Sequence, residues 1–305
     1  MRRILCTLLC YGIVAVWAQV NVLLDITAQN DFLNYRGHGT DRYYTGGNQL
    51  GFLLQDPTKK ISSHYFSVSQ QVFTPSDLQD TALRSWDYPY GGLLFFSYQL
   101  QHDASSLKTK WALSSSWGFS GRRSGAHRTQ QVLHRIIGDE IPRGWDHITE
   151  NGFFMQFALL VGQPVISAPP TEVTVFQVAE WGHLFQRIRW GVQFLRGTYH
   201  APRGSFLFFP TATHPTKTRS LSFFLTPTLS WVIRNQLLQW YPADRSIAGR
   251  ILRQRLAGLE FGLGIRFRQT CLQFTQYLQQ PEFEQAHSHA YGEISLLLPL
   301  VQSNQ

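Results

Sequence analysis

The feature that most constrains this chain is a recurrence: runs of about ten residues, alternating apolar and polar, follow one another from end to end. The runs read as strands span residues 20–28, 48–55, 64–73, 93–101, 110–119, 153–161, 172–181, 186–195, 220–233, 255–266, 270–278 and 290–299. Beyond residue 18, no stretch is apolar for the roughly 20 residues that a helix needs to cross a bilayer. Period-two alternation gives each strand two different faces, and only a closed barrel lets strands cross lipid without leaving backbone groups unpaired. The expected fold is therefore all-β: a twelve-stranded antiparallel outer-membrane β-barrel with a short helix, the competing architecture being a soluble β-sandwich.

Export is read from the first residues. Arg2 and Arg3 precede an uncharged run from Ile4 to Trp17, and Ala18 offers a small residue for cleavage, so residues 1–18 are expected to be a signal peptide and 19–305 the barrel domain. Cys6 and Cys10 sit too early for a lipoprotein signal and would leave with the segment, so the mature chain keeps only Cys271 and forms no internal disulfide. Charged residues are 15% of the chain and aromatics 14%, a balance that suits lipid-facing strands with aromatic girdles better than a soluble surface. The formal charge of +8 falls to about +6 without Arg2 and Arg3 and suits an anionic partner. For an exported protein this excludes nucleic acid and favours lipopolysaccharide phosphates, or simply a solvated basic surface.

Turn residues punctuate the strands at Asp56-Pro57, at 102–106, at Ala168-Pro169-Pro170 and at 201–204. One segment breaks the rhythm. Residues 125–138 lack alternation and set Thr129, Val132 and Ile136 on one helical face, with Gly138 as the stop.

Polar residues concentrate in three blocks at strand ends. The first is Gln29-Asn30-Asp31-Phe32 with Asp41-Arg42-Tyr43-Tyr44-Thr45-Gly46-Gly47. The second is Thr74-Pro75-Ser76 with Asp87-Tyr88-Pro89-Tyr90-Gly91-Gly92. The third starts at Gln130, takes in His134-Arg135-Ile136-Ile137-Gly138-Asp139-Glu140, and ends with Pro142-Arg143-Gly144-Trp145-Asp146. A lone histidine is more often structural than catalytic, and an Asn-Asp pair at a strand end more often only shapes a turn.

The ordered set NDF, DxxYTGG, a TP turn, DxPYGG, QxxxHRIIG and PxGWD resembles the signature of the calcium-dependent lipid A deacylases of the LpxR family, over about residues 28 to 151. That resemblance implies a site between the barrel wall and a short helix, with a calcium ion stabilising an oxyanion and a histidine activating water. It carries the histidine onto His134, the Asn-Asp pair onto Asn30 and Asp31, the Tyr-Thr pair onto Tyr44 and Thr45, the helical glutamine onto Gln130 and the following acidic residue onto Glu140. It also implies a carboxylic ester hydrolase that removes a 3'-linked acyl or acyloxyacyl chain from lipid A in the outer membrane, and a monomer is the expected state.

The chemistry stands on its own as well. Ester hydrolysis by water needs a base near neutral pKa, which histidine supplies. Gln130 lies four residues before His134 and so shares its helical face. Asn30, Asp31 and Thr45 offer the oxygen donors that Ca2+ takes, and no Gly-x-Ser-x-Gly elbow supports a serine nucleophile. His127 falls at the start of the helix, and His287-x-His289 lacks a neighbouring carboxylate cluster. Arg122, Arg123, Arg128, Arg135 and Arg143 suit either lipid A phosphates or headgroup-level charge. The family lysine after the TP turn is missing, with only Arg84 between residues 76 and 86, and the chain lacks a terminal aromatic. A phospholipase using the same groups, or a non-enzymatic barrel or channel, remains the alternative.

Overall fold

The computed structural model describes residues 20–35, 42–55, 62–82, 86–104, 109–197, 216–239, 251–268 and 270–301. The expected signal segment, Asp41, Arg84, the turn at Asp56-Pro57 and residues 201–204 lie outside them. Twelve strands form one closed antiparallel barrel, each paired with its neighbours in sequence and the first with the last. They are β1 (Asn21–Asn30), β2 (Tyr43–Gln55), β3 (Ser62–Thr74), β4 (Gly91–Ala104), β5 (Thr109–Ser120), β6 (Phe153–Ala168), β7 (Thr171–Gly182), β8 (Phe185–Gly197), β9 (Thr216–Asn235), β10 (Arg255–Arg268), β11 (Thr270–Gln279) and β12 (His289–Val301). Every expected strand is present. The ends differ: β2 begins five residues before the expected 48, and β4 takes in residues 102–104, expected as turn.

The alternation is inverted relative to a soluble protein, as lipid requires. Along β9, Leu221, Phe223, Leu225, Leu229, Trp231 and Ile233 face outward and are 43–62% exposed, while Ser222 and Thr226 face inward and are fully buried. Burying such hydroxyls and exposing such apolar side chains is stable only where the outside is hydrocarbon.

Many polar groups in the barrel interior pair with one another, as a low-dielectric setting favours. Glu180 pairs with Arg187, and Arg189 lies 3.8 Å from Glu260. Asp25 accepts from the Tyr65 hydroxyl and, at 3.2 Å, from Thr27. Glu293 accepts from Tyr277 at 3.1 Å and from Gln29 at 2.5 Å. A cavity of about 400 Å³ remains inside.

Val22 pairs with Val301, so both ends of the barrel chain lie at one rim. The opposite rim carries the three polar blocks. There β1 ends at Asn30, β2 begins at Tyr43, β3 ends at Thr74, β4 begins at Gly91 and β5 ends at Ser120. Between β5 and β6 the chain forms the helix α1 (Ala126–Ile137), bounded by Gly125 at φ 71° and Gly138 at φ 75°. Both glycines hold the left-handed conformation that a side chain disfavours, and the stop at Gly138 is the one expected.

Candidate active site

Asn30 pairs with Gly46 across β1 and β2. A Cβ on Gly46 would lie 2.8 Å from the Gln29 carbonyl oxygen, so glycine is what lets the two strand ends close on each other. Asn30 Oδ1 accepts from the Phe32 N–H at 2.7 Å and caps a short 3-10 turn, Asp31–Leu33. That turn buries Asp31, whose Oδ2 accepts from the Arg42 N–H at 3.2 Å and whose carbonyl accepts from the Asn34 side chain.

A bulge in β2 sorts the next pair of residues. The register against β3 shifts between Tyr44 and Gly46, leaving Thr45 as the extra residue. Tyr44 turns into the barrel, where its hydroxyl donates to Gln29 Oε1 and its ring packs on Phe73 and Tyr291. Thr45 lands on the outer side, buried, with its Oγ1 2.6 Å from Thr74 Oγ1. The wall therefore separates the Tyr-Thr pair that the sequence presents as one unit.

The helix sits on the outside of that wall. Phe73 and Leu93 line the interior cavity, so Val72 and Gly92 point outward. Val72 packs with Ala126, Trp86, Tyr90 and Trp145. A Cβ on Gly92 would collide with Ser124 Oγ and the Ala126 side chain, so the first turn of α1 rests directly on the β4 backbone. Gln70 Nε2 donates to the Ser124 carbonyl at 2.7 Å and ties the helix start to β3.

Spacing of four along α1 then turns Ala126, Gln130 and His134 to the wall, and all three are buried. Gln130 Oε1 accepts from Trp145 Nε1 at 2.8 Å, and the Trp145 ring packs 4.9 Å from that of Tyr90. His134 Nδ1 lies 2.6 Å from the Glu140 carbonyl oxygen. A carbonyl only accepts, so Nδ1 carries the proton and Nε2 holds the basic lone pair. The Asp139 carboxylate lies 3.8 Å from Nδ1, whereas the Glu140 side chain is exposed and meets the histidine through its main chain alone.

Two groups result. Asn30, Asp31 and Thr45 gather at the β1–β2 rim, and Gln130, His134 and the Glu140 carbonyl gather under α1. The strand β3 links them, with Thr74 touching Thr45 and Val72, two residues earlier, touching the helix. Oxygen donors alone make up the rim group: the Asp31 carboxylate, the Asn30 amide oxygen with its second lone pair, and the Thr45 and Thr74 hydroxyls. Such a set fits a hard cation such as calcium. Among the described residues no three His, Cys, Asp or Glu side chains converge as a softer metal would need.

Other candidates resolve differently. His289 is buried inside the barrel, with Nε2 2.8 Å from the Tyr44 carbonyl and its ring stacked near Tyr291, while His287 is exposed. His127 lies over Trp145 at 6.2 Å, and burial pushes its imidazole below the ordinary value, helped by Arg122 and Arg128. The five arginines are exposed, and Arg122 pairs loosely with Asp146 at 3.4 Å. Asp87 accepts from the Ser76 N–H at 2.8 Å, and Tyr88 and Tyr90 are buried, a structural role for that block. Sequence reasoning did not single out Trp145, Thr74 or Asp139. The signal for Trp145 was the indole of the third polar block, whose ring favours burial and whose N–H then needs an acceptor.

Comparison with known proteins follows this geometry. A family model described as "Outer membrane protein LpxR" matches residues 4–300. Among solved structures, LpxR from Salmonella typhimurium matches with a TM-score of 0.79 at 20% identity, covering 90% of this chain and 99% of that one. The translocator domain of the autotransporter NalP from Neisseria meningitidis matches at 10% identity and a TM-score of 0.44, covering 97% and 96%. No curated protein matches.

Proposed function

This chain belongs to the LpxR family of outer-membrane proteins, and from that premise we propose that it hydrolyses an ester-linked acyl chain of lipid A, at the 3'-position, with His134 as general base. One observation carries the reading: a buried histidine whose Nδ1 is held by the Glu140 carbonyl at 2.6 Å. Nothing in a barrel wall requires such a group, whereas a water-activating base requires a fixed tautomer and direction. Nε2 takes the proton from the attacking water and later returns it to the departing alkoxide. The Asp139 carboxylate, 3.8 Å from Nδ1, steadies the imidazolium between those events.

Gln130 is a positioning residue. Its amide oxygen is occupied by Trp145, so its side chain holds the helix face that carries His134 rather than exchanging protons itself. Asn30, Asp31 and Thr45 would hold calcium. When bound, that ion supplies Lewis-acid stabilisation of charge on the ester carbonyl oxygen. The packed rings of Tyr43, Tyr88 and Phe283 with Leu237 and Leu238 inside the site rim support an enzyme over an open channel. Residues 1–18 are taken as the export signal and 19–305 as the catalytic barrel.

The test incubates purified protein with lipid A and with glycerophospholipid, with calcium or with a chelator, and reads both lipids by mass spectrometry. Loss of an acyl mass from lipid A, abolished by chelation and reduced by about 10²–10⁴ in His134→Ala, is expected. Release of lysophospholipid alone makes the protein a phospholipase. Unchanged lipids with wild type, or equal rates in His134→Ala, overturn the base assignment.

A further inference from the structure

The face that α1 turns away from the wall does not suit water. Val132 and Leu133 are 50% and 42% exposed, and Ile136 and Ile137 are 76% and 59% exposed. The sequence sets Val132 and Ile136 on one side of the helix, and in a soluble protein that side would be the packed one. Here it is reversed: Ala126, Gln130 and His134 are the residues buried against the barrel. Helical spacing puts Arg128 and Arg135, seven residues apart and both exposed, along the neighbouring strip. Seen down its axis the helix thus has three faces: one on the wall, one apolar, one basic.

We infer that α1 is an interfacial helix whose Val132 and Ile136 strip rests on lipid acyl chains, continued by the exposed Leu133 and Ile137 at the edge beside the wall, with Arg128 and Arg135 at headgroup level. Continuity with the lipid-facing wall identifies the occupant. The segment that contains α1 leaves β5 just after Phe119 and enters β6 at Phe153, and these two outward rings pack 5.7 Å apart at 41% and 56% exposure. Further along, the outward pairs Phe96–Trp117 between β4 and β5 and Phe157–Trp181 between β6 and β7 stack at 5.9 and 6.0 Å. Aromatic rings in such a band mark the level where hydrocarbon meets headgroups. A helix that lies against the wall at this rim and shows isoleucine outward extends the lipid-facing surface. An adjacent basic strip is the composition of helices that lie in the interface plane.

The inference rests on the outer-membrane location and not on the catalytic reading, so its test measures no activity. Spin labels are attached to Ile136→Cys, Val132→Cys and Arg128→Cys in the exported chain carrying Cys271→Ala, its mass confirming loss of Cys6 and Cys10, with Val68→Cys on the bare part of β3 as the lipid reference. Each variant is reconstituted in phosphatidylethanolamine and phosphatidylglycerol vesicles, and retention of the barrel is checked by heat-dependent electrophoretic mobility. Collision with oxygen is expected to exceed collision with a polar nickel chelate at 136 and 132, as at 68, with the order reversed at 128. Preference for the nickel chelate at 136 and 132 overturns the inference, because the strip is then in water. Low collision with both reagents, accompanied by spin–spin broadening, also overturns it by making a second copy of the chain the occupant.

Discussion

The bare wall formed by β7 to β10 and the covered wall formed by β1 to β5 are built from the same alternating strands yet solve different problems. On the bare side the outward residues are large, apolar and exposed, Trp181, Trp190, Phe194, Leu225 and Trp231 among them, and among the described residues no helix is packed over them. Near the site rim of the covered side, the outward positions of β1 to β4 include Asn30, Gly46, Thr74 and Gly92, small or polar residues that would be poor lipid contacts, with Val72 among them. On β3 and β4 the segment from Gly121 to Asn151 folds back over Val72 and Gly92, while Thr74 is turned to Thr45. A barrel thus makes a dry polar site on its outside by exchanging its lipid coat for a helix.

Breaking the bare wall gives the largest expected effect, and it falls on stability. Leu225→Arg puts a charge in mid-strand on the lipid face and should cost roughly 2–4 kcal/mol in urea unfolding from vesicles. The same protein, while folded, should process lipid A at the wild-type rate per molecule. A variant that folds normally but loses activity would mean that β9 and the site are mechanically coupled.

Breaking the covered wall reverses that pattern. Gly92→Val places a side chain where Ser124 Oγ and Ala126 already sit, so the helix start must lift while the β4 ladder is kept. Overpacking of this kind costs typically about 1–3 kcal/mol. Expressed as misplacement of His134, it should lower the rate by about 10–10²-fold, with heat-dependent mobility and unfolding midpoint close to wild type. Normal activity in Gly92→Val would show that the helix does not need its seat on β4.

The contrast also explains what was legible in the sequence. All twelve strands were readable because lipid on one side and a polar interior on the other enforce period two more strictly than a soluble core does, as β9 illustrates. The rhythm fails where the wall is covered. Residues Tyr43–Gly47 read as a polar block rather than as strand because the bulge at Thr45 and the paired glycines break the alternation, although they are the first turn-end of β2. The helix was visible from its period and its glycine stop, but its orientation was not: apolar residues point toward a core in one solvent and toward lipid in the other. Candidate site residues such as His134 and Asp31 were marked by the resemblance of the ordered motifs. Trp145, which fixes Gln130, sat in one of those motifs without a role until its partner was known.

The smallest predicted effect sharpens the comparison within the covered wall itself. His134 has two neighbours at Nδ1, the buried-side carbonyl of Glu140 at 2.6 Å and the half-exposed carboxylate of Asp139 at 3.8 Å. The first sets the tautomer by a hydrogen bond that water does not replace; the second acts through charge at a distance and next to solvent. Asp139→Asn keeps size and polarity but removes the charge, so only the stabilisation of a transient imidazolium is lost. Pairs this exposed contribute roughly 0.2–1 kcal/mol, which translates into an about 1.4- to fivefold lower kcat at low salt. Screening should erase most of that difference as ionic strength rises and the Debye length falls toward about 3 Å at 1 M. Glu140→Gln, which leaves the carbonyl in place, should change kcat less than Asp139→Asn does. A loss beyond a hundredfold in Asp139→Asn that persists at high salt would instead make Asp139 a tightly bonded partner of the base, and the carbonyl of Glu140 would no longer be sufficient to explain how His134 is held.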